Sequence, residues 1–206
     1  MNETDSTAST PPSNTRGRRT LIGLAALFFV PLAIAFALYY SSGWRPAGMT
    51  NHGELINPPI PLEQVAFTLP DGTTSARADL LRRQWTLVYL GDGTCSTEEC
   101  ERALWVMRQT RLLLAEDMDR VARLFVAKRA CCNVAMFDAE HPGMEVVMVD
   151  DPTARDMLQK FPTQDQARSL FVVDPLGNLM LRFDSREDPK GLLRDLERLL
   201  KLSHIG

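Results

Sequence analysis

Residues 85–105 read WTLVYLGDGTCSTEECERALW, and this stretch decides the fold. The apolar run from Trp85 to Leu90 predicts a buried strand, and the glycines after it predict a tight turn. Cys95 and Cys100 then open a segment with helical spacing. A helix N-terminus stabilises a thiolate, which is the form of cysteine that attacks disulfides and binds metals. The stretch therefore predicts a strand, a turn and a helix that carry a functional thiol pair.

The spacing of the two cysteines leaves the kind of thiol site open. They are separated as C-x4-C, whereas redox sites use C-x-x-C. Glu98, Glu99 and Glu101 suit the first turn of a helix, but their charges oppose the formation of a thiolate beside them. Cys95 and Cys100 are therefore candidates for a slow redox couple, a metal-binding pair, a structural disulfide or a docking surface for a positively charged partner. We expect them to face each other and to be able to form a disulfide.

The rest of the domain alternates strand-like and helix-like segments. Strands are predicted at 65–69, 121–127, 146–149, 170–173 and 179–183, and helices at 97–116, 153–161 and 189–202. Residues 70–72 and 174–178 are turn sequences, the first within a short hairpin, and Leu80 and Leu81 are expected in a short connecting helix. The order β-α-β-(β)-α-β-β-α describes a thioredoxin-like α/β domain.

An apolar, uncharged run at residues 21–40 has about the length that a bilayer-spanning helix requires. Arg16, Arg18 and Arg19 precede it, so the positive-inside rule keeps the N-terminus in the cytoplasm. The alternatives are a signal peptide cleaved within 33–37 and a twin-arginine export signal. The run is longer than a typical signal-peptide core, which favours a retained anchor.

These patterns divide the chain into four parts. Residues 1–20 are a cytoplasmic head whose composition predicts disorder, and residues 21–40 are the transmembrane anchor. Residues 41–62 are a Pro-rich linker, and residues 63–206 are the thioredoxin-like domain, which is long enough to bury a core without disulfides. The net charge of −3 comes without a basic stripe, which argues against nucleic acid as a partner.

The single anchor, the outward thioredoxin-like domain, the cysteine pair after a G-x-x-x-C turn and the D-P-x-G hairpin resemble the Sco/SenC family. The similarity covers roughly residues 67–202, and at residue level it rests on 91–100 and 170–183. The resemblance implies a role in assembling the copper centres of cytochrome c oxidase. It implies copper as the metal and an oxidase subunit or another assembly factor as the partner. It also implies the inner (cytoplasmic) membrane, with the domain on the periplasmic side.

The chain departs from that family in two places. The family pattern is C-x-x-x-C, one residue shorter than the spacing here. The family's histidine ligand falls, by spacing, near Gln166, and a carboxamide is a poor ligand for the soft Cu(I) ion. Cys95 and Cys100 remain as Cu(I) ligands, so the sequence predicts weak copper binding, if any.

Two further groups of residues were considered as sites. His141 lies in a segment expected to be a loop, where we expect it to be solvated and not a ligand. A disulfide between the neighbours Cys131 and Cys132 would strain the peptide between them, so we expect two partly buried thiols or one thiol paired elsewhere.

Three functions stay open at this stage. The first is a membrane-anchored assembly factor for a respiratory oxidase, acting by thiol–disulfide or copper transfer. The second is a thioredoxin- or peroxiredoxin-like enzyme. The third is a binding module whose disulfide is only structural. Cys95 and Cys100 are the candidate catalytic residues, as a redox pair, and the sequence does not decide whether the protein is an enzyme.

We expect the chain to stay in the membrane with residues 46–206 outside the cytoplasm, because three arginines precede an uncharged span. A periplasm-dependent reporter fused at the C-terminus should be active, and a cytoplasm-dependent reporter at the same place should be silent. Activity of the cytoplasmic reporter, or release of the domain as a soluble fragment, would contradict this topology.

Overall fold

The computed structural model describes residues 15–40, 51–74, 79–128 and 131–203, which belong to two compact units. The first unit, residues 1–49, contains helix α1 (Thr15–Tyr40). Within α1, Gly17–Ala37 is long and apolar enough to cross a membrane by length and composition. This helix includes the predicted span and also the last residues of the predicted head. Pro31 lies inside it without ending it, as membrane helices allow.

The second unit, residues 50–206, is built on a six-stranded mixed sheet. In spatial order the strands are β1 (Glu54–Pro61), β6 (Asn178–Asp184), β5 (Ser169–Val173), β2 (Trp85–Gly91), β3 (Val121–Ala127) and β4 (Glu145–Met148). Strands β2, β3 and β4 are parallel, and β5, β6 and β1 continue the sheet through antiparallel pairs. The predicted α/β class is confirmed.

The described part of this unit contains four α-helices: α2 (Glu98–Leu113), α3 (Val134–Glu140), α4 (Pro152–Leu158) and α5 (Pro189–Leu202). Helix α2 connects β2 to β3, and α3 connects β3 to β4. Leu104 of α2 and Leu196 of α5 pack with Phe125 of β3 in one core. Met157 of α4 packs with Phe171 of β5 in a second core. The sheet thus buries both of its faces, which is why β2 reads as an unbroken apolar run.

Residues 54–61, assigned to the linker from the sequence, form β1 instead. This strand pairs with β6, and its register shifts between Leu55 and Ile60. The sequence does not indicate this strand, because the strand contains Pro58, Pro59 and Pro61. Proline removes a backbone donor from the hydrogen-bond ladder of a sheet and is found in sheets mainly on edge strands. β1 is such an edge strand. The domain therefore begins before residue 63, within the unit that starts at Thr50.

Three smaller differences concern short segments. Helix α3 was not predicted, and it lies where a loop was expected. Leu80 and Leu81 lie in a turn, not in a helix. The predicted hairpin at 65–75 is reduced to bridges, in which Thr68 pairs with both Thr74 and Met148. A seven-residue helix and single bridges carry too few residues for a periodic pattern to show.

Asp195 joins the start of the domain to its last helix. Its carboxylate is 4% exposed and accepts hydrogen bonds from the backbone N–H of His52, at 2.9 and 3.0 Å, and of Gly53, at 2.8 Å. His52 Nδ1 lies 3.3 Å from the same carboxylate. The chain just before β1 is thereby fixed to α5 by a buried charged acceptor.

Replacing Asp195 by Ala should lower the free energy of unfolding by about 1–3 kcal/mol, because the buried N–H of Gly53 and the partly buried N–H of His52 lose a charged acceptor. Chemical denaturation of the full chain in detergent would measure the change. Glu197→Ala on the exposed face of the same helix is the matched control and should change stability by less than about 0.5 kcal/mol. Equal effects of the two substitutions would contradict this role for Asp195.

Candidate functional site

The turn between β2 and α2 is shaped by a close backbone approach at Gly91. A Cβ atom added there would lie 2.4 Å from Cζ of Phe125, so no larger residue fits without a shift. Gly93 follows with φ +96°, a left-handed conformation that glycine adopts without strain. The Asp92 carboxylate then accepts a hydrogen bond from the backbone N–H of Cys95 at 3.3 Å. These features direct the first cysteine towards the start of α2.

Cys95 and Cys100 form a disulfide with their Cα atoms 5.3 Å apart, which confirms the pairing expected from the sequence. Cys100 lies in the first turn of α2, which Thr97 caps by accepting a hydrogen bond from the Cys100 N–H. Cys95 has φ +48°, a left-handed conformation uncommon for a residue with a side chain. Both cysteines are buried, with 5% and 2% of their surface exposed. The disulfide therefore closes the strand-to-helix turn.

Carboxylates surround this turn. Glu98, Glu99 and Glu101 all lie in the first turn of α2, where the helix dipole favours negative charge. Burial raises the pKa of Tyr89, and the charges of Asp92 and Glu99 raise it further. The same negative field disfavours a thiolate once the disulfide is reduced. This site therefore lacks the electropositive surroundings of strongly acidic, fast-reacting cysteines.

A groove of about 580 Å³ runs between α2 and α3 and reaches Cys95. Trp105, which is 45% exposed, lines its wall, and the Arg102 guanidinium lies 4.9 Å from the centre of the indole ring. Met136 and His141 line the groove from the side of α3. The groove lets a molecule from solvent reach Cys95, although only 5% of the Cys95 surface is exposed.

Gln166 lies beside the first turn of α2. It shares a small cavity with Glu99, and its side-chain oxygen accepts a hydrogen bond from Lys128 Nζ at 2.9 Å. Tyr89 supports the same segment, because its hydroxyl donates to the Ala167 carbonyl at 2.7 Å. The Gln166 side chain is thus held by an ammonium group, next to the helix that carries the disulfide.

Ion pairs fix the segment around Gln166 to the end of β6. Arg168 contacts the carboxylates of Asp165 at 2.5 Å and Asp184 at 3.0 Å. A hydrogen bond from Arg186, with Arg168 close by, holds the pKa of Asp184 at about 2, below its usual value. The Asp184 carboxylate is therefore ionised at every physiological pH. Its ion pair with Arg168, which holds the segment to β6, does not change with pH in that range.

The donor set at this place does not fit Cu(I). The two sulfur atoms are bonded to each other. The residue that the resemblance aligns with the third ligand is Gln166, whose carboxamide oxygen accepts a hydrogen bond from Lys128. Cu(I) prefers thiolate, thioether or imidazole ligands. Within the residues that the structure describes, no group of three His, Cys, Asp or Glu side chains is placed to hold a metal ion. The arrangement supports thiol chemistry better than metal storage.

The other residues considered from the sequence differ from what was expected. His141 caps the C-terminus of α3 and is 8% exposed, so it is buried and not solvated. Burial, with Arg123 nearby, lowers its pKa and keeps the imidazole neutral at pH 7. Cys131 and Cys132 are half-buried, as expected, but their sulfur atoms contact each other and do not pair elsewhere. They pack against the core that contains Cys95 and Cys100.

The groove was missed from the sequence because α3 was missed. Trp105 was the available signal, since Arg102 and Arg108 lie about one turn before and after it on the helix and it departs from the apolar face. A large aromatic residue exposed on a helix beside a thiol pair indicates a contact surface. Because α3 was not predicted, the sequence did not indicate which residues form the opposite wall of the groove.

The fold and the site together define a thioredoxin-like domain with a disulfide at the start of its first helix, behind a helix of membrane-spanning length. The family model for the transmembrane-like, thioredoxin-like C-terminal domain matches residues 85–203, more than half of the chain. The chain belongs to this family. A comparison with curated proteins found no match.

Solved structures share the fold at low identity. Apo Sco1 from Thermus thermophilus is 19% identical with a TM-score of 0.56, covering 74% of this chain and 99% of that chain. Yeast Sco1 with copper bound is 14% identical with a TM-score of 0.55, covering 75% and 95%. A candidate protein disulfide isomerase from Bacteroides thetaiotaomicron is 15% identical with a TM-score of 0.52, covering 73% and 94%. The Sco/SenC-like, thioredoxin-like fold expected from the sequence is thereby confirmed.

We expect the reduced full-length chain to bind Cu(I) weakly, because the residue beside the first turn of α2 that the resemblance aligns with the histidine ligand is Gln166, whose carboxamide is a poor ligand for Cu(I). Gln166→His should strengthen binding, since it supplies an imidazole beside α2. Competition with a Cu(I) chelator would measure both affinities, and Gln164→His, two residues away and exposed, is the matched control. Tight one-to-one binding by the unmodified chain that is lost on Cys95→Ser would contradict this expectation.

Proposed function

We propose that this protein is a membrane-anchored assembly factor for the copper centres of a respiratory cytochrome c oxidase, acting by thiol–disulfide exchange at Cys95 and Cys100. The observation that carries the proposal is the disulfide at the start of α2, which a groove reaches at Cys95. The Sco-like fold supports a role in assembling the oxidase. The residue aligned with the third ligand, Gln166, is a poor ligand for copper, which favours thiol–disulfide exchange over metal transfer. The partner would be an oxidase subunit, or another assembly factor, that carries a pair of cysteines.

The exchange begins when a partner thiolate enters the groove and attacks the sulfur of Cys95. The Cys95–Cys100 bond breaks, a mixed disulfide forms at Cys95, and Cys100 leaves as a thiolate. The N-terminus of α2 stabilises that leaving thiolate, and water then protonates it. Cys100 cannot be the point of attack, because it is 2% exposed and does not line the groove.

The second thiol of the partner completes the exchange. It attacks the partner's own sulfur in the mixed disulfide, and Cys95 is released as a thiolate that takes up a proton. The partner dithiol is then oxidised to a disulfide, and Cys95 and Cys100 have received two electrons and two protons. The same steps run in reverse when the partner has the higher reduction potential. The carboxylates around the turn make this a slow exchange.

The position of the domain outside the cytoplasm is part of the proposal. The arginines at the start of α1 favour a cytoplasmic N-terminus, which would put the domain in the periplasm. Disulfides persist in that compartment, whereas the cytoplasm keeps thiols reduced. The topology and the chemistry are therefore consistent with each other.

A second candidate function is a binding module whose disulfide is purely structural. The observation in its favour is the burial of both cysteines, of which no more than 5% is exposed. In that case Cys95 and Cys100 would stay oxidised throughout the life of the protein. The redox state of the pair in cells therefore separates the two functions.

Replacing Cys100 by Ser should trap the partner, because the reduced Cys95 can attack a partner disulfide but no second thiol can release it. The mixed disulfide would be isolated from membranes with the full-length chain and identified by mass spectrometry. Cys95→Ser should trap nothing, since the remaining thiol is buried. Both variants should reduce the optical signal of the oxidase copper centre in cells.

The double variant Cys131→Ser with Cys132→Ser is the matched control, because it removes two thiols from the same core without touching the α2 turn. It should leave trapping and oxidase assembly unchanged. Normal oxidase assembly with Cys95 and Cys100 both replaced by Ser would show that the thiols are not used and would favour the structural role.

A further inference from the structure

The groove that reaches Cys95 is larger than the attack of a single thiol requires. Its volume of about 580 Å³ falls in the range of sites that enclose whole ligands, about 300–1,000 Å³. Its lining follows α2 from Cys95 and Glu98 to Trp105 and Arg108. Because a helix rises about 1.5 Å per residue, Trp105 lies about 10 Å from Glu98 along the helix axis. The groove can therefore hold several residues of a partner and not its cysteine alone.

The middle of the groove offers apolar surface from both helices. Trp105 of α2 is 45% exposed, and Met136 lines the groove from α3. Arg102 holds the indole in place, since its guanidinium lies 4.9 Å from the ring centre and its Nε donates to the Ser185 carbonyl at 3.1 Å. Tryptophan is enriched among the residues that contribute most to binding at interfaces, and methionine adapts to the shape of a partner. This part of the groove fits a large apolar side chain.

The end of the groove next to Cys95 is acidic. Glu98 and Glu101 line it, and both side chains are exposed. Neither forms an ion pair with a residue that the structure describes. Arg102 lines the groove too, but its guanidinium is placed over the indole of Trp105. A partner thiol that approaches Cys95 therefore meets negative charge.

The far end of the groove carries charges of both signs. Arg108 of α2 and Glu140 at the end of α3 line it together. Burial lowers the pKa of His141 at this end, as do the charges of Arg123 and Arg108, so the imidazole is neutral at pH 7 and adds no charge. The whole lining thus has three carboxylates and two guanidinium groups, and the excess of negative charge lies at the disulfide.

We propose that the groove binds an extended segment of the partner in which basic residues adjoin the attacking cysteine and a large apolar residue lies about three positions away, against Trp105. An extended chain advances about 3.3 Å per residue, so three residues span the distance from the acidic end to the indole. Basic neighbours also promote the thiolate of the partner, which Glu98 and Glu101 would otherwise oppose. A cysteine with acidic neighbours is repelled from the same place. This inference rests on the proposed function and names the kind of segment on which it acts.

Fluorescence anisotropy of labelled peptides would test the groove, with the oxidised full-length chain in detergent. The peptide LAKSKAL has lysines beside a serine, which replaces the cysteine, and leucines three positions away in both directions. It should bind at least about tenfold more tightly than LAESEAL, because the glutamates of the second peptide meet the acidic end of the groove. The difference should shrink as salt is added, since salt screens exposed charges.

Trp105→Ala should weaken the binding of LAKSKAL at least about tenfold, because it removes the apolar surface in the middle of the groove. Leu112→Ala is the matched control, since Leu112 is exposed on the same helix but does not line the groove, and it should leave the affinity unchanged. Replacing both Glu98 and Glu101 by Gln should remove the preference for lysine over glutamate. Glu116→Gln, outside the groove, should keep that preference.

Equal affinity for the two peptides, or unchanged affinity in Trp105→Ala, would overturn the inference. A dimer of the unmodified chain that dissociates in Trp105→Ala would also overturn it, because a second copy would then cover the groove. Serine peptides cannot exchange thiols, so these results do not depend on whether the disulfide reacts. Selective binding by a chain whose disulfide stays oxidised in cells would support the groove and contradict the thiol exchange alone.

Discussion

The burial of β2 on both faces is the constraint on which the site depends. All seven of its residues are buried, and it lies between β3 and β5 in the middle of the sheet. Its carboxyl end therefore cannot move without disturbing two neighbours. Gly91, held close to the Phe125 ring, is the point where the chain leaves the sheet. The few residues between that point and α2 bring Cys95 and Cys100 within bonding distance.

Burial also explains which parts of the fold the sequence predicts. β2 and α5 are predicted correctly because both carry a pattern that indicates burial: an apolar run in β2 and leucines along one face of α5. β1 was missed because its residues are mostly exposed and three of them are prolines, so it carries no alternating pattern. Its place in the sheet comes from pairing with β6 and from the Asp195 contact, which join residues far apart in sequence.

The site shows the same division between local and long-range information. The pairing of the cysteines followed from their position at a helix start. The bond from Lys128 to Gln166 did not, because it joins the end of β3 to a separate segment. Arg123 is a charge inside the apolar strand VARLFVA, yet only the structure shows that it is buried and that its Nε and Nη1 atoms have no hydrogen-bond partner among the described residues.

The two outer strands of the sheet bear on how copies of the protein behave when they are crowded in one membrane. Exposed strand edges pair readily with other chains and lead to aggregation. On one side, the prolines of β1 remove backbone donors that an incoming strand would need. On the other, Thr68 already exchanges two backbone hydrogen bonds with Met148 of β4, at 2.6 and 3.2 Å. Both borders of the described sheet are therefore poor templates for edge-to-edge pairing between copies of the domain.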